Sequence, residues 1–375
     1  MSLENFWFLL IAVLFIGYFV LEGFDFGVGM LMPILGRGHT GGDTEVAPDA
    51  PEADPDTRRR VLLNTIGPVW DGNEVWLLTA GGALFAAFGG WYATMFTAFY
   101  LPLLIILVGL IARVCAIEWR GKINDPRWRM WCDVGIGLGS WIPALLWGVA
   151  FANVVRGLPI DADAQYTGGF FNLLNPYGLL GGITTLLVFL THGAVFLGMK
   201  TSGVLQRDAM DLAKKLAIPT AVVAAAFLLW TQFAYGSGWT WIAVIAAALA
   251  AVVMVAATWV GREGIAFAAT SIAIVGTVAT LFGSLFPDVL PSTTDDAFSL
   301  TIANTSSSHY TLTVMTWAAV FITPVVIGYQ AWSYWVFRKR ISTEHIPAHT
   351  GLPSLKVRSG VDSLKLARPN PAVRR

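Results

Sequence analysis

Charge is scarce in this chain. Of 375 residues only 13% are Asp, Glu, Lys or Arg, and the 24 basic and 24 acidic side chains cancel. A typical soluble domain carries about 25% charge, so a soluble globular fold is excluded for most of the length. No basic face interleaved with aromatics is present, which excludes a nucleic-acid surface. Cysteine is nearly absent, with only Cys115 and Cys132. Both fall beside a basic loop placed in the cytosol below. Two such thiols make neither a disulfide framework nor a metal site. There is no Cys/His cluster, nucleotide loop, nucleophile–base arrangement or tandem repeat. Glu4 stands where a signal peptide needs Lys or Arg, and no A-x-A site follows. The first apolar run therefore reads as a retained helix.

What is abundant is apolar. Hydrophobic residues make up 55% of the chain. They come in runs of about 20, the length that crosses a hydrocarbon core of roughly 30 Å. The fold class expected is an all-α polytopic membrane protein. Nine spans are predicted, at about residues 6–34, 61–88, 92–116, 133–155, 175–199, 216–235, 240–260, 264–286 and 310–337. Placing the N-terminus outside and the C-terminus in the cytosol puts every Lys and Arg inside except Arg113 and Arg156, as the positive-inside rule requires. Several of the 16 Trp, among them Trp7, Trp91, Trp119, Trp239 and Trp335, fall at predicted helix ends, as an interfacial belt requires. The transmembrane domain is read as residues 1–340. Within it, loop 38–57 holds an acidic, Pro- and Gly-rich stretch, 41–56, expected to be disordered. Residues 341–375 read as a basic cytosolic tail, composed to meet anionic headgroups. The polar segment 288–309 reads either as an ordered outer cap or as a solvated loop.

Two spans carry acids where lipid forbids them. Span one holds Glu22 and Asp25, and span two holds Asp71 and Glu74. A carboxylate facing lipid at mid-bilayer costs roughly 2.5–3.5 kcal/mol, so these groups must face protein, water or a partner. Glu22 and Asp25 lie three apart and share a helix face. Gly23 and Gly27 beside them permit close approach of a second helix. Asn64, Asp71 and Glu74 are spaced to form one polar stripe along span two. Pro68 between them frees a backbone carbonyl. Arg113, at the inner end of span three, is placed to pair with one of the acids. Such a cluster can relay protons or bind cations, or form a purely structural ion-pair network. His192 is the one histidine within a span and has no second axial ligand at a matching depth, so haem ligation by this chain is not expected.

Three stretches carry a resemblance. They are Gly23-Phe24-Asp25-Phe26-Gly27-Val28-Gly29-Met30, Trp70-Asp71-Gly72-Asn73-Glu74-Val75-Trp76-Leu77 and Gly81-Gly82-Ala83-Leu84-Phe85-Ala86. Further matches are Phe170-Phe171-Asn172-Leu173-Leu174-Asn175-Pro176, Pro291-Ser292-Thr293 and Thr313-Val314-Met315-Thr316-Trp317. Together they resemble subunit II of the cytochrome bd quinol oxidases over nearly the whole chain. The resemblance implies a subunit of a quinol:oxygen oxidoreductase in the bacterial inner membrane, not catalytic alone. It implies nine helices as two four-helix bundles plus one peripheral helix. It implies haem b and haem d carried by a partner subunit I, and a proton path from the cytosol through this chain. Asp25 and Asp71 match the acids of that path. Glu22, Glu74 and Asn64 are assigned to it here, with Arg113 as electrostatic partner. Some relatives hold a structural quinone in this subunit, and a small accessory subunit is a further potential partner. Insert 41–56 and the basic tail depart from the family pattern without touching its motifs. Two rival classes use the same acids: a cation-coupled transporter, which would need inverted repeats with broken helices, and an inert scaffold whose acids never titrate.

Overall fold

The computed structural model describes residues 2–37, 54–347 and 351–353. The acidic stretch up to residue 53, and the tail at 348–350 and beyond 353, lie outside the described residues. Helix α1 (Leu3–Leu35) starts at Ser2, whose Oγ accepts from the Asn5 amide, and runs for 33 residues. Helix α2 (Pro55–Ile66) starts at Asp54, whose carboxylate accepts from the Asp56 and Thr57 amides. Then come α3 (Trp70–Ala87), α4 (Gly89–Ala98), α5 (Tyr100–Trp119), α6 (Pro126–Arg156) and α7 (Pro176–Lys200). They are followed by α8 (Val204–Ala234), α9 (Trp241–Val260), α10 (Glu263–Leu285), the single turn α11 (Ile302–Thr305) and α12 (His309–Val336).

Eight helices among the described residues are long and apolar enough to cross a membrane. The remaining traverse, expected at 61–88, is made by α2 and α3, so the architecture matches the predicted plan of about nine. It is not one continuous helix. Pro68 has no N–H to donate, the Val69 amide turns back to the Ile66 carbonyl (2.9 Å), and Val69 leaves helical geometry. The traverse expected at 92–116 is likewise divided into α4 and α5, where Pro102 cannot donate to the Ala98 carbonyl. By sequence the basic stretches 117–132 and 200–215 read as loops between predicted spans. Instead α6 already begins at Pro126, capped by Asp125, and α8 at Val204. Hydropathy marks where a helix enters lipid, not where its hydrogen bonding starts.

Helices α1, α3, α5 and α6 pack as one group and α7–α10 as a second, with α6 packed along α7 where the two meet. Helix α1 belongs to both, because it also packs along α7 and α10. The crossing with α7 is close enough that a Cβ on Gly27 would sit 2.6 Å from the Gly193 Cα and 2.2 Å from the Phe189 carbonyl oxygen. The small residues on α1 are thus required by backbone approach. Helix α12 lies outside both groups, against α1 and α3, and only 6% of its most apolar window is buried.

The segment 288–309 is ordered. Strand β1 (Ile123–Asn124) pairs with β4 (Leu352–Pro353) at one end of the molecule. At the other end, β2 (Asp288–Leu290) pairs antiparallel with β3 (Leu300–Thr301). Ser292 Oγ donates to the Ile160 carbonyl and the Leu158 amide to the Pro291 carbonyl, both at 3.0 Å. This ties the segment to the loop after α6, as the cap reading expects.

Candidate functional site

The site is built around α1. Glu22 and Asp25, less than one turn apart, are both fully buried. Their side chains share one face of α1 and lie within electrostatic reach of each other. Arg113 of α5, only 1% exposed, pairs with Glu22 and lays its guanidinium 4.8 Å from the centre of the Phe26 ring. Asp25 Oδ2 accepts from Asn73 Nδ2 at 2.7 Å. The Asn73 oxygen in turn accepts from the Tyr334 hydroxyl (2.6 Å) and from Gln330 Nε2 (3.3 Å). Gln330 is itself held by the Trp76 indole N–H (2.8 Å). Four helices, α1, α3, α5 and α12, therefore meet through polar side chains inside an apolar body.

This cluster is not saturated. Glu22 Oε2, Asp25 Oδ1, and Arg113 Nε and Nη2 are buried without a protein partner. Buried polar atoms are satisfied by water or by a proton when protein does not reach them. A guanidinium with two free donors beside two carboxyl oxygens without donors is a place for both.

The remaining predicted residues lie elsewhere. Asp71 is exposed on α3, and Asn64 is exposed on α2, where its amide donates to the Arg60 carbonyl (2.7 Å). Glu74 is half-buried, within electrostatic reach of both Arg113 and Asp71. The single stripe expected from Asn64 through Asp71 to Glu74 is not formed, because the break at 67–69 interrupts the helix that would carry it. The residue of α3 that reaches Asp25 is Asn73. Asn73 lies inside a quoted motif, but its inward aim depends on that break. Tyr334 and Gln330 arrive from 261 and 257 residues away and have no local sequence signal.

His192 is fully committed. Nδ1 meets Thr270 Oγ1 at 2.6 Å, Nε2 meets the Val20 carbonyl at 3.0 Å, and the ring stacks on Phe267. Neither nitrogen is free to ligate iron, so the residue does not fit a haem. Cys115 and Cys132 are both unbridged. Among the described residues no group of His, Cys, Asp and Glu could hold a metal ion.

Two further features frame the site. At the end of the bundle where basic residues gather, Arg120 bonds Asp133 (2.5 Å) and Asp56 (2.9 Å), and Asp56 also meets Arg129 (3.3 Å). Arg58 pairs with Asp208 and donates to the Leu35 carbonyl. These contacts pin α1, α2, α5, α6 and α8 together below the buried acids. Between α7, α8, α9 and α10 lies an almost wholly apolar cavity of about 510 Å³, with Thr220 and Thr270 among its lining.

The sequence model of the family described as cytochrome bd terminal oxidase subunit II matches residues 3–337. A Bacillus subtilis protein named cytochrome bd ubiquinol oxidase subunit 2 is 42% identical over 346 residues, covering 91% of this chain and 97% of that protein. The Escherichia coli K12 protein named cytochrome bd-I ubiquinol oxidase subunit 2 is 35% identical over 382 residues, covering 92% and 96%. A solved structure of bd oxidase from Geobacillus thermodenitrificans has the same fold, with a TM-score of 0.68 at 17% identity over 90% of this chain and 99% of that one.

Proposed function

The chain belongs to the cytochrome bd terminal oxidase subunit II family, and from that footing we propose that it is the haem-free subunit of its oxidase and carries protons from the cytosol toward subunit I. The complex is a quinol oxidoreductase. Haem b and haem d, held by subunit I, supply the oxygen chemistry. In this reading the present chain supports that subunit and supplies protons. The fully engaged His192 supports the haem-free assignment.

The observation that carries the proton path is the Glu22–Asp25–Arg113 cluster with its four unpartnered atoms. Two carboxyl groups face one guanidinium, so the buried charges balance only when a proton is held between the acids. That proton would fill both Glu22 Oε2 and Asp25 Oδ1. An uncompensated buried charge is costly at low dielectric, so the pair can pass a proton on only as another arrives. Glu74 is within electrostatic reach of both Arg113 and Asp71 and links this cluster to Asp71 in the path. Asp71 is the central carrier and gives the path its exit. An acid exposed on a membrane-spanning helix needs cover other than lipid, and we assign that cover to subunit I. Orientation follows the basic residues, N-terminus outside and C-terminus in the cytosol.

The test is Asp71→Asn, with Asp25→Asn beside it, in the whole oxidase. Quinol-driven oxygen consumption should fall by about a hundredfold, the lower end of the range for losing a positioned proton carrier, with haem content unchanged. Unchanged oxygen consumption at normal haem content would remove Asp71 from the path. Intact turnover in the double amide variant would favour the scaffold reading. Ion flux in vesicles lacking subunit I would favour the transporter. A second reading concerns the apolar cavity between α7 and α10, whose lining suits the isoprenoid chain of a structural quinone. Mass spectrometry of an organic extract of the pure complex decides it.

A further inference from the structure

A second cleft, of about 200 Å³, lies where α7 and α12 end beside α10 and α2. Its walls are of two kinds. Phe196, Met199, Phe267 and Phe337 supply apolar surface, and Lys200 and Arg338 supply positive charge. Phe196 is buried, Met199, Phe267 and Lys200 are half-buried, and Phe337 and Arg338 are exposed, so the cleft runs from an apolar floor to a rim that carries both apolar surface and charge. The two cations are held together through the chain of α12. Lys200 Nζ donates to the Phe337 carbonyl, and Arg338 Nη1 donates to the Trp335 carbonyl at 2.5 Å. The Arg338 guanidinium also lies 4.5 Å from the Trp335 ring centre.

No carboxylate lines this cleft, and neither cation forms an ion pair among the described residues. Glu263, at the start of α10, is taken by Gln206 (2.6 Å) and Arg340 (3.6 Å). An ammonium carries three donors and a guanidinium five, so both groups keep donors for an anion. The cleft stands at the helix ends where the basic residues gather, the level at which headgroups meet a bilayer.

We propose that this cleft binds the phosphate of an anionic phospholipid between Lys200 and Arg338, with its first acyl methylenes against Phe196, Met199, Phe267 and Phe337. Charge complementarity selects an anion, and the apolar walls select one that carries hydrocarbon. A lipid seated there would clasp α12, the least buried long helix, to the end of α7.

The test uses the whole oxidase in mild detergent, wild type and the Lys200→Gln/Arg338→Gln variant. Each is titrated with phosphatidylglycerol, phosphatidylcholine or inorganic phosphate, and retained lipid is counted by native mass spectrometry. The variant should lose one tightly held phosphatidylglycerol and need roughly thirtyfold more lipid to regain it, at about fivefold per cation near a membrane surface. Arg340→Gln, outside the cleft, should leave that count unchanged. Equal retention by wild type and variant overturns the proposal. Displacement of the lipid by millimolar inorganic phosphate overturns the lipid assignment in favour of a free anion. Equal retention of phosphatidylcholine overturns the role of charge. If the double variant does not assemble with the haem-bearing subunit, the exposed Arg338→Gln alone decides, with an expected loss of about fivefold.

Discussion

At the scale of single residues, the cluster under α1 is a problem of balance. Arg113 faces two acids and has no room to leave them. Removing one partner of a buried pair costs about 3–5 kcal/mol, because the other charge stays behind. Arg113→Leu should therefore lower the thermal midpoint of the solubilised complex sharply. Adding Glu22→Gln should recover much of the loss, since the acid that lost its guanidinium partner is then neutral. If the double variant melts no higher than the single, the two groups are not coupled as the geometry indicates. Tyr334→Phe is a gentler probe. It removes a donor from the Asn73 oxygen while Gln330 remains, so the stability cost should be near 1 kcal/mol. Its larger effect should fall on turnover, because Asn73 fixes the position of Asp25. Full turnover in Tyr334→Phe would detach α12 from the site. The acids were legible in the sequence because charge in an apolar run is conspicuous. Arg113 was legible as their partner for the same reason. Asn73, Gln330 and Tyr334 were not, because nothing about an amide or a phenol within a span reports which neighbour it meets.

At the scale of elements, glycines separate two kinds of helix surface. Gly27 and Gly193 touch backbone to backbone where α1 crosses α7, and any side chain there must push the helices apart. Gly27→Ala should cost about 1–3 kcal/mol, as overpacking does, and should also disturb the site one turn away. Gly72, Gly81 and Gly82 on α3 have open space where a Cβ would stand. Gly81→Ala should leave this subunit folded, and the effect to measure is how much subunit I copurifies with it. Loss of subunit I without loss of this chain would mark that face of α3 as covered in the complex. The long apolar runs made the helices easy to place in the sequence. The breaks at Val69 and Phe99 were harder, since Pro68 and Pro102 announce a missing bond but not the angle that follows. The early starts of α6 and α8 were hidden because their first turns are polar, and only their caps and buried faces reveal them.

At the scale of the whole molecule, one end is tied by arginines and the other by strands and carbonyls. Arg120→Gln should loosen the tied end, since Asp133 loses its 2.5 Å partner and Asp56 loses a second. Faster proteolysis near residues 54–60, with unchanged cleavage in the loop 157–175, would show the loss is local. The direction of the whole chain is checked by impermeant thiol labelling of single cysteines. A cysteine in place of Asp163 should react from outside intact cells, and one in place of Lys122 only after they are opened. The reverse pattern would invert the orientation. Helix α12 adds a matter of timing. It is translated after every other long helix, yet its Tyr334 and Gln330 complete the shell of Asn73 beside Asp25. During synthesis the body of two helix groups can close while that amide still waits for its last two donors. The buried acids thus acquire their final setting only when the ribosome has moved past residue 334. A chain interrupted earlier would be inserted and largely packed, yet unfinished around its buried acids.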